Sequence, residues 1–155
     1  MIETDFTGDG TTDWNTSDIS TTVLFTYSLP GVYTAKFTVT DNTLKKYYFQ
    51  TSIVVLSVAS IDTLLRNVYE DTLVKLKAGD IKGALTAFTG GAQKKYSAVF
   101  AALGPNLPAA VDQLGLITDG EIGNSMAEYK VVRGYQTFFI YFILDEDGVW
   151  RIDGM

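Results

Sequence analysis

The chain has 155 residues, 46% of them hydrophobic, with 12 basic and 18 acidic side chains and a formal net charge of −6. That is enough apolar material for a core, and the acidic balance argues against nucleic acid or an anionic membrane surface as partner. Neither Cys nor His occurs, which excludes disulfides, thiol catalysis, a Ser-His dyad and zinc sites of the usual ligand type.

No apolar stretch approaches the ~20 residues of a membrane-spanning helix, so no membrane insertion is expected. No basic-then-apolar leader opens the chain, which reads as a piece of a longer protein. The first third reads as β. Val23 to Tyr27 is expected to form a short strand. Val32 to Thr40 alternates, with Tyr33, Ala35, Phe37 and Val39 on one face and Thr34, Lys36, Thr38 and Thr40 on the other, the pattern of a strand buried on one side. Pro30-Gly31 starts it, Asp41-Asn42 turns it, and Tyr47 to Leu56 is the next strand.

The strings Asp5-Phe6-Thr7-Gly8-Asp9-Gly10, Thr26-Tyr27-Ser28-Leu29-Pro30-Gly31-Val32-Tyr33 and Phe37-Thr38-Val39-Thr40-Asp41-Asn42 resemble the later strands of a PKD (polycystic kidney disease) domain. The resemblance implies part of an immunoglobulin-like sandwich, with its earlier strands missing, in a spacer or adhesion module of a secreted or surface protein. Extracellular or cell-surface localisation is the matching expectation. Asp5, Asp9 and Asp13, interleaved with Gly8 and Gly10, raise calcium as the one cofactor to consider, because carboxylates around a Gly-bent turn can converge on a hard cation. Thr7 and Thr16 stand where a calcium loop would place strong ligands, so a plain Asp/Gly turn fits the pattern better.

Around Val58-Ala59-Ser60 the hydrophobic period changes from two to three and four, dividing the chain into residues 1–58 and 59–155. Ser60 is the expected cap of a first helix striped by Ile61, Leu64, Leu65, Val68, Thr72, Leu73 and Leu76 and ended by Gly79. Asp80 caps a second, with Ile81, Ala84, Leu85 and Phe88, ending at Gly90-Gly91. Tyr96, Val99, Phe100 and Leu103 stripe a third up to Gly104-Pro105. Pro108 opens a fourth, in which Leu107, Val111 and Leu114 face inward.

Three strands follow. A two-residue turn at Gly134-Tyr135 sets Arg133 opposite Gln136, Val131 opposite Phe138, Tyr129 opposite Ile140 and Ala127 opposite Phe142. A Gly148 turn then puts Trp150 opposite Leu144 and Ile152 opposite Phe142. One face of this meander is apolar and needs the helices as cover, which makes the fold α+β, with helices on an antiparallel sheet; the PKD resemblance implies that the β segment before them is a partial immunoglobulin-like one.

The order of these elements, with Ala78-Gly79-Asp80-Ile81-Lys82-Gly83-Ala84-Leu85 early and Tyr141-Phe142-Ile143-Leu144-Asp145-Glu146-Asp147-Gly148-Val149-Trp150-Arg151-Ile152 at the end, resembles the nuclear transport factor 2-like (SnoaL-like) superfamily. That resemblance implies a cone of helices over a curved sheet, with a pocket used for catalysis in some members and for binding or dimerisation in many. The pocket candidates are Tyr96, Phe100, Tyr129, Arg133, Phe138 and Trp150, and the pattern places no carboxylate inside. A tyrosine without a positioned partner is a poor acid or base near neutral pH. A non-catalytic module for self-association or for partner or ligand binding is therefore favoured over a small-molecule binder or lyase/isomerase-type enzyme using the cone. On the opposite face Val132, Phe139, Tyr141 and Ile143, flanked by Lys130, Arg151 and Asp153, form a patch expected to carry a homodimer contact.

Overall fold

A computed structural model describes residues 1–155. The chain divides into two compact units, Met1–Ser57 and Val58–Met155. The first carries β1 (Ile2–Asp5), β2 (Trp14–Thr16), β3 (Gly31–Thr40) and β4 (Lys46–Val55), joined as one antiparallel sheet in the order β2-β1-β3-β4. Strands β1 and β2 were not anticipated from sequence, being too short to show a period.

The expected strand over Val23–Tyr27 does not form. Its residues act through side chains instead: Phe25 stacks on Phe6 at 4.6 Å between ring centres, Tyr27 lies 4.5 Å from Tyr33, and the Tyr27 hydroxyl donates to the Phe6 carbonyl at 2.9 Å. Alternation in the sequence recorded this aromatic layer over the sheet, whereas a strand needs a neighbouring ladder as well.

In the second unit α1 (Val58–Lys77) starts two residues before the expected cap at Ser60. Its buried face is Leu65, Tyr69, Thr72, Leu73 and Leu76, while Leu64, expected inside, is 41% exposed. Gly79, at φ +78°, ends the helix as its spacing suggested. The short α2 (Ile81–Leu85) is capped by Asp80, which accepts from the Gly83 amide at 2.8 Å.

Helix α2 does not run on to Gly90-Gly91. Phe88 forms a parallel bridge with Ile152, with Thr89 N–H donating to the Ile152 carbonyl and Ile152 N–H to the Ala87 carbonyl. Those sheet-type bonds take the groups that a longer helix would have used. The two glycines instead open α3 (Gly90–Leu103), capped by Thr89. A 3₁₀ turn over Gly104–Asn106 leads to α4 (Leu107–Asp112), where Leu107 and Val111 are buried.

The second sheet is antiparallel with four strands, in the order β5-β6-β7-β8: β5 (Ile117–Ile122), β6 (Met126–Arg133), β7 (Gln136–Leu144) and β8 (Trp150–Gly154). Every pairing expected for β6, β7 and β8 is present, from Arg133 opposite Gln136 to Ile152 opposite Phe142. Gly134 at φ +59° and Gly148 at φ +74° make the two reversals. The additional strand is β5, and its pairing with β6 is irregular between Ile117 and Gly120. One core joins all four helices to the buried sheet face, with Leu65, Tyr69, Leu76, Phe88, Tyr129, Phe142 and Ile152 fully enclosed.

The N-terminal unit has no comparable core, because only Thr4 and Ala35 in it are buried. Local opening there is correspondingly cheaper. Amide exchange should be fast throughout Met1–Ser57 and slow at Leu65–Leu76 and Tyr129–Val131; equal protection of the two units would contradict this difference.

Candidate functional site

Three of the six pocket candidates meet in one place. Tyr96 and Phe100 on α3 and Arg133 at the end of β6 line an open groove of about 290 Å³, together with Val99, Leu103, Leu107, Val111 and Leu114. Helix α3 supplies one wall because Tyr96, Val99, Phe100 and Leu103 recur at helical spacing. Tyr96 and Phe100 are buried at its base, in an aromatic cluster with Phe88 whose ring centres lie 5.2 to 6.1 Å apart. The Tyr96 hydroxyl closes a reciprocal pair with the Met155 main chain, donating to its oxygen at 2.6 Å and accepting from its amide at 2.8 Å. At the rim, Arg133 Nη2 donates to Gln113 Oε1 at 2.9 Å, and its guanidinium sits 5.7 Å from the Phe138 ring centre. Phe138 is thus a half-exposed platform for Arg133.

Tyr129 and Trp150 lie elsewhere in the core. The Tyr129 ring is fully buried, and its hydroxyl donates to Asp62 Oδ1 on α1 at 2.7 Å. Sequence reasoning placed no carboxylate beside it; the fold brings one across 67 positions. Arg66, one turn after Asp62, donates from Nε to Asp62 Oδ2 at 2.9 Å, from Nη1 to the Ile117 carbonyl at 2.8 Å and from Nη2 to the Thr118 carbonyl at 2.6 Å. It therefore binds two carbonyls of β5 where the pairing of that strand with β6 is irregular.

The Arg66 hydrogen bond, then that of Tyr129, hold the Asp62 carboxyl below its ordinary range despite some desolvation. Burial, reinforced by the Asp62 hydrogen bond and charge, raises the Tyr129 phenol. Burial alone pushes Tyr69 up to about 12, and its hydroxyl donates to the Gly115 carbonyl at 3.0 Å. A phenol already donating to a carboxylate is a weaker acid than a free one, so the pair serves as a tie between helix and sheet.

On the opposite sheet face Val132 is 55% exposed, Phe139 and Tyr141 are each 38% exposed, and Ile143 is half-buried. The rings of Phe139 and Tyr141 stack at 6.3 Å. Exposed Met126, opposite Ile143, extends this patch, while Lys130 lies directly opposite Phe139 and so stands within the patch.

In the N-terminal unit, the carboxylates considered for calcium accept backbone hydrogen bonds. Asp5 accepts from Gly8 N–H at 2.6 Å and Gly10 N–H at 2.8 Å, Asp9 from Thr11 N–H at 2.7 Å and Asp13 from Phe6 N–H at 2.7 Å. Desolvation opposes ionisation of Asp5, but the Gly10 and Gly8 amides and the Lys36 ammonium outweigh it and lower its pKa. The arrangement is that of an Asp/Gly turn, in which these carboxylates order the backbone.

No family model, curated protein or solved structure matches the chain. No helix is long and apolar enough to cross a membrane.

Two predictions test the tie. A Cβ at Gly120 would collide with the buried Tyr129 ring, so Gly120→Ala should cost about 1–3 kcal/mol, as overpacking does, read from helix ellipticity during urea unfolding. An unchanged midpoint would show that the ring can move aside. The second concerns acid. The Val149 amide and then the Arg151 guanidinium lower Asp145, as Arg66 and then Tyr129 lower Asp62, both from a reference of 3.8. Since the folded values lie below the unfolded ones, the stability these groups contribute is complete above about pH 4 and is lost as pH falls through the folded pKa values. Asp62→Asn should be less stable than the parent at pH 7, and the difference should shrink toward pH 2; a pH-independent difference would rule out this linkage.

Proposed function

We propose that the chain is a non-catalytic module of a secreted or cell-surface protein, with a PKD-like β unit followed by a nuclear transport factor 2-like domain that mediates self-association and ligand binding. The observation that carries this is the filled space between helices and sheet. Tyr69, Phe88, Tyr129 and Phe142 occupy it, and the hydroxyls of Tyr69, Tyr96 and Tyr129 are engaged by Gly115, Met155 and Asp62. Polar groups committed to structural partners give acid/base chemistry little to work with, which counts against a lyase or isomerase.

The strand order β2-β1-β3-β4 corresponds to C′, C, F and G of an immunoglobulin-type sheet, which supports the PKD-like assignment of the first unit. In the second unit, Val132, Phe139, Tyr141 and Ile143, extended by Met126 and interleaved with Lys130 and Glu128, form the surface for a two-fold homodimer, since clustered exposed apolar side chains commonly mark an interface. A small-molecule ligand is the second role, and the apolar groove beside Arg133 favours it.

Sedimentation of the wild type at ~100 µM, above the dissociation constant expected for a modest interface, should give a dimer. Tyr141→Lys should convert it to monomer with unchanged circular dichroism. A monomeric wild type would remove the dimer.

A further inference from the structure

The groove and the three arginines together specify a ligand class. Arg66 and Arg151 each pair with a carboxylate, Asp62 at 2.9 Å and Asp145 at 2.6 Å, and both also bind backbone carbonyls. Arg133 instead donates to the neutral Gln113 amide and rests on the Phe138 ring. A planar guanidinium held on an aromatic face is oriented in advance, and its remaining N–H groups form a fork that matches a carboxylate. In a chain of net charge −6, this cation stands at the rim of a cleft whose other lining is mostly Val, Leu, Phe and Ala side chains.

We propose that the groove between α3, α4 and the end of β6 binds a monocarboxylate with an apolar body of about eight to ten carbons, its carboxylate on Arg133. The size follows from the cleft: about 290 Å³ is the liquid volume of roughly ten waters, and a methylene occupies nearly the volume of a water. The apolar body lies along Val99, Phe100, Leu103, Leu107 and Leu114, and burying it supplies the affinity. Arg133 supplies the preference for an acid over the corresponding alcohol. The proposal deepens the ligand-binding role of the second unit and does not depend on the dimer.

The test is calorimetric titration of the full chain with octanoate, octan-1-ol and acetate. Octanoate should bind at sub-millimolar concentration, octan-1-ol about tenfold more weakly for want of a charge-assisted bond, and acetate without measurable heat. Arg133→Gln, at an exposed position, should abolish the octanoate preference while leaving octan-1-ol binding unchanged. Val99→Glu places a carboxylate on the half-exposed wall and should weaken octanoate at least tenfold. Equal octanoate affinity in wild type and Arg133→Gln would overturn the proposal, as would absence of binding at about 5 mM. Sedimentation of the same samples keeps this separate from the dimer, which can fail while octanoate still binds.

Discussion

The second unit depends on one buried phenol. The Tyr129 ring, enclosed beneath α1, needs the space that Gly120 leaves on β5, and its hydroxyl needs an acceptor, which Asp62 provides. Asp62 in turn orients Arg66, whose guanidinium binds the Ile117 and Thr118 carbonyls. Helix α1, the irregular strand β5 and central strand β6 are thereby fastened through three side chains, those of Asp62, Arg66 and Tyr129. Removing the phenol oxygen would leave Asp62 with one donor fewer; removing Asp62 would leave a buried hydroxyl without its acceptor, the costlier change because it strands a polar group away from water.

This network also marks where sequence reasoning stopped. The β6-β7-β8 meander could be read pair by pair, because side chains alternate strictly, Gly134 and Gly148 limit the turn geometries, and a register slip would turn the apolar set outward. Strand β5 gave no such signal. Thr118, Asp119, Gly120 and Glu121 are all exposed or lack a large side chain, and the residue that matters, Gly120, acts by what it omits. Asp62 was equally hidden, since it looks like an ordinary solvent-facing residue of a helix until β6 is folded against it. Of the six pocket candidates, Tyr96, Phe100 and Arg133 line one groove. Tyr129 and Trp150 share the inward sheet face with Arg133 but sit in the core rather than at that groove, a difference that alternation along a strand does not show.

That filling bears directly on function. Aromatic rings occupy the interior, and the tyrosines complete their hydrogen bonds with Gly115, Asp62 and Met155. Opening a cavity there would separate these pairs as well as remove packing, so the interior contributes to stability. Packing is incomplete at the groove beside α3 and on the outer face carrying Phe139 and Tyr141, the two surfaces on which our proposals rest. The groove combines apolar walls with a cation, and the outer face combines aromatic rings with Lys130 opposite Phe139. We propose the first for a small amphiphile and the second for a flat protein surface.

The N-terminal unit uses a different means of cohesion. Its sheet buries little, and Phe6, Phe25, Tyr27, Tyr33 and Phe37 make a layer of ring contacts in which the irregular Val23–Tyr27 segment supplies side chains without strand pairing. Asp5, Asp9 and Asp13 stiffen the β1–β2 connection by accepting amide hydrogen bonds, so turn chemistry supplements the small core. Strand β4 is an edge of this sheet, and from Tyr47 to Val55 it has no charge, proline or glycine. Such an edge lacks the devices that usually discourage further pairing, leaving Lys45 and Lys46 to guard only its start. A sheet with one thin aromatic cover and one unguarded edge gains most from an added strand. The aromatic cover could not be read as strands from the sequence because it is made by side chains of an irregular segment that joins no ladder.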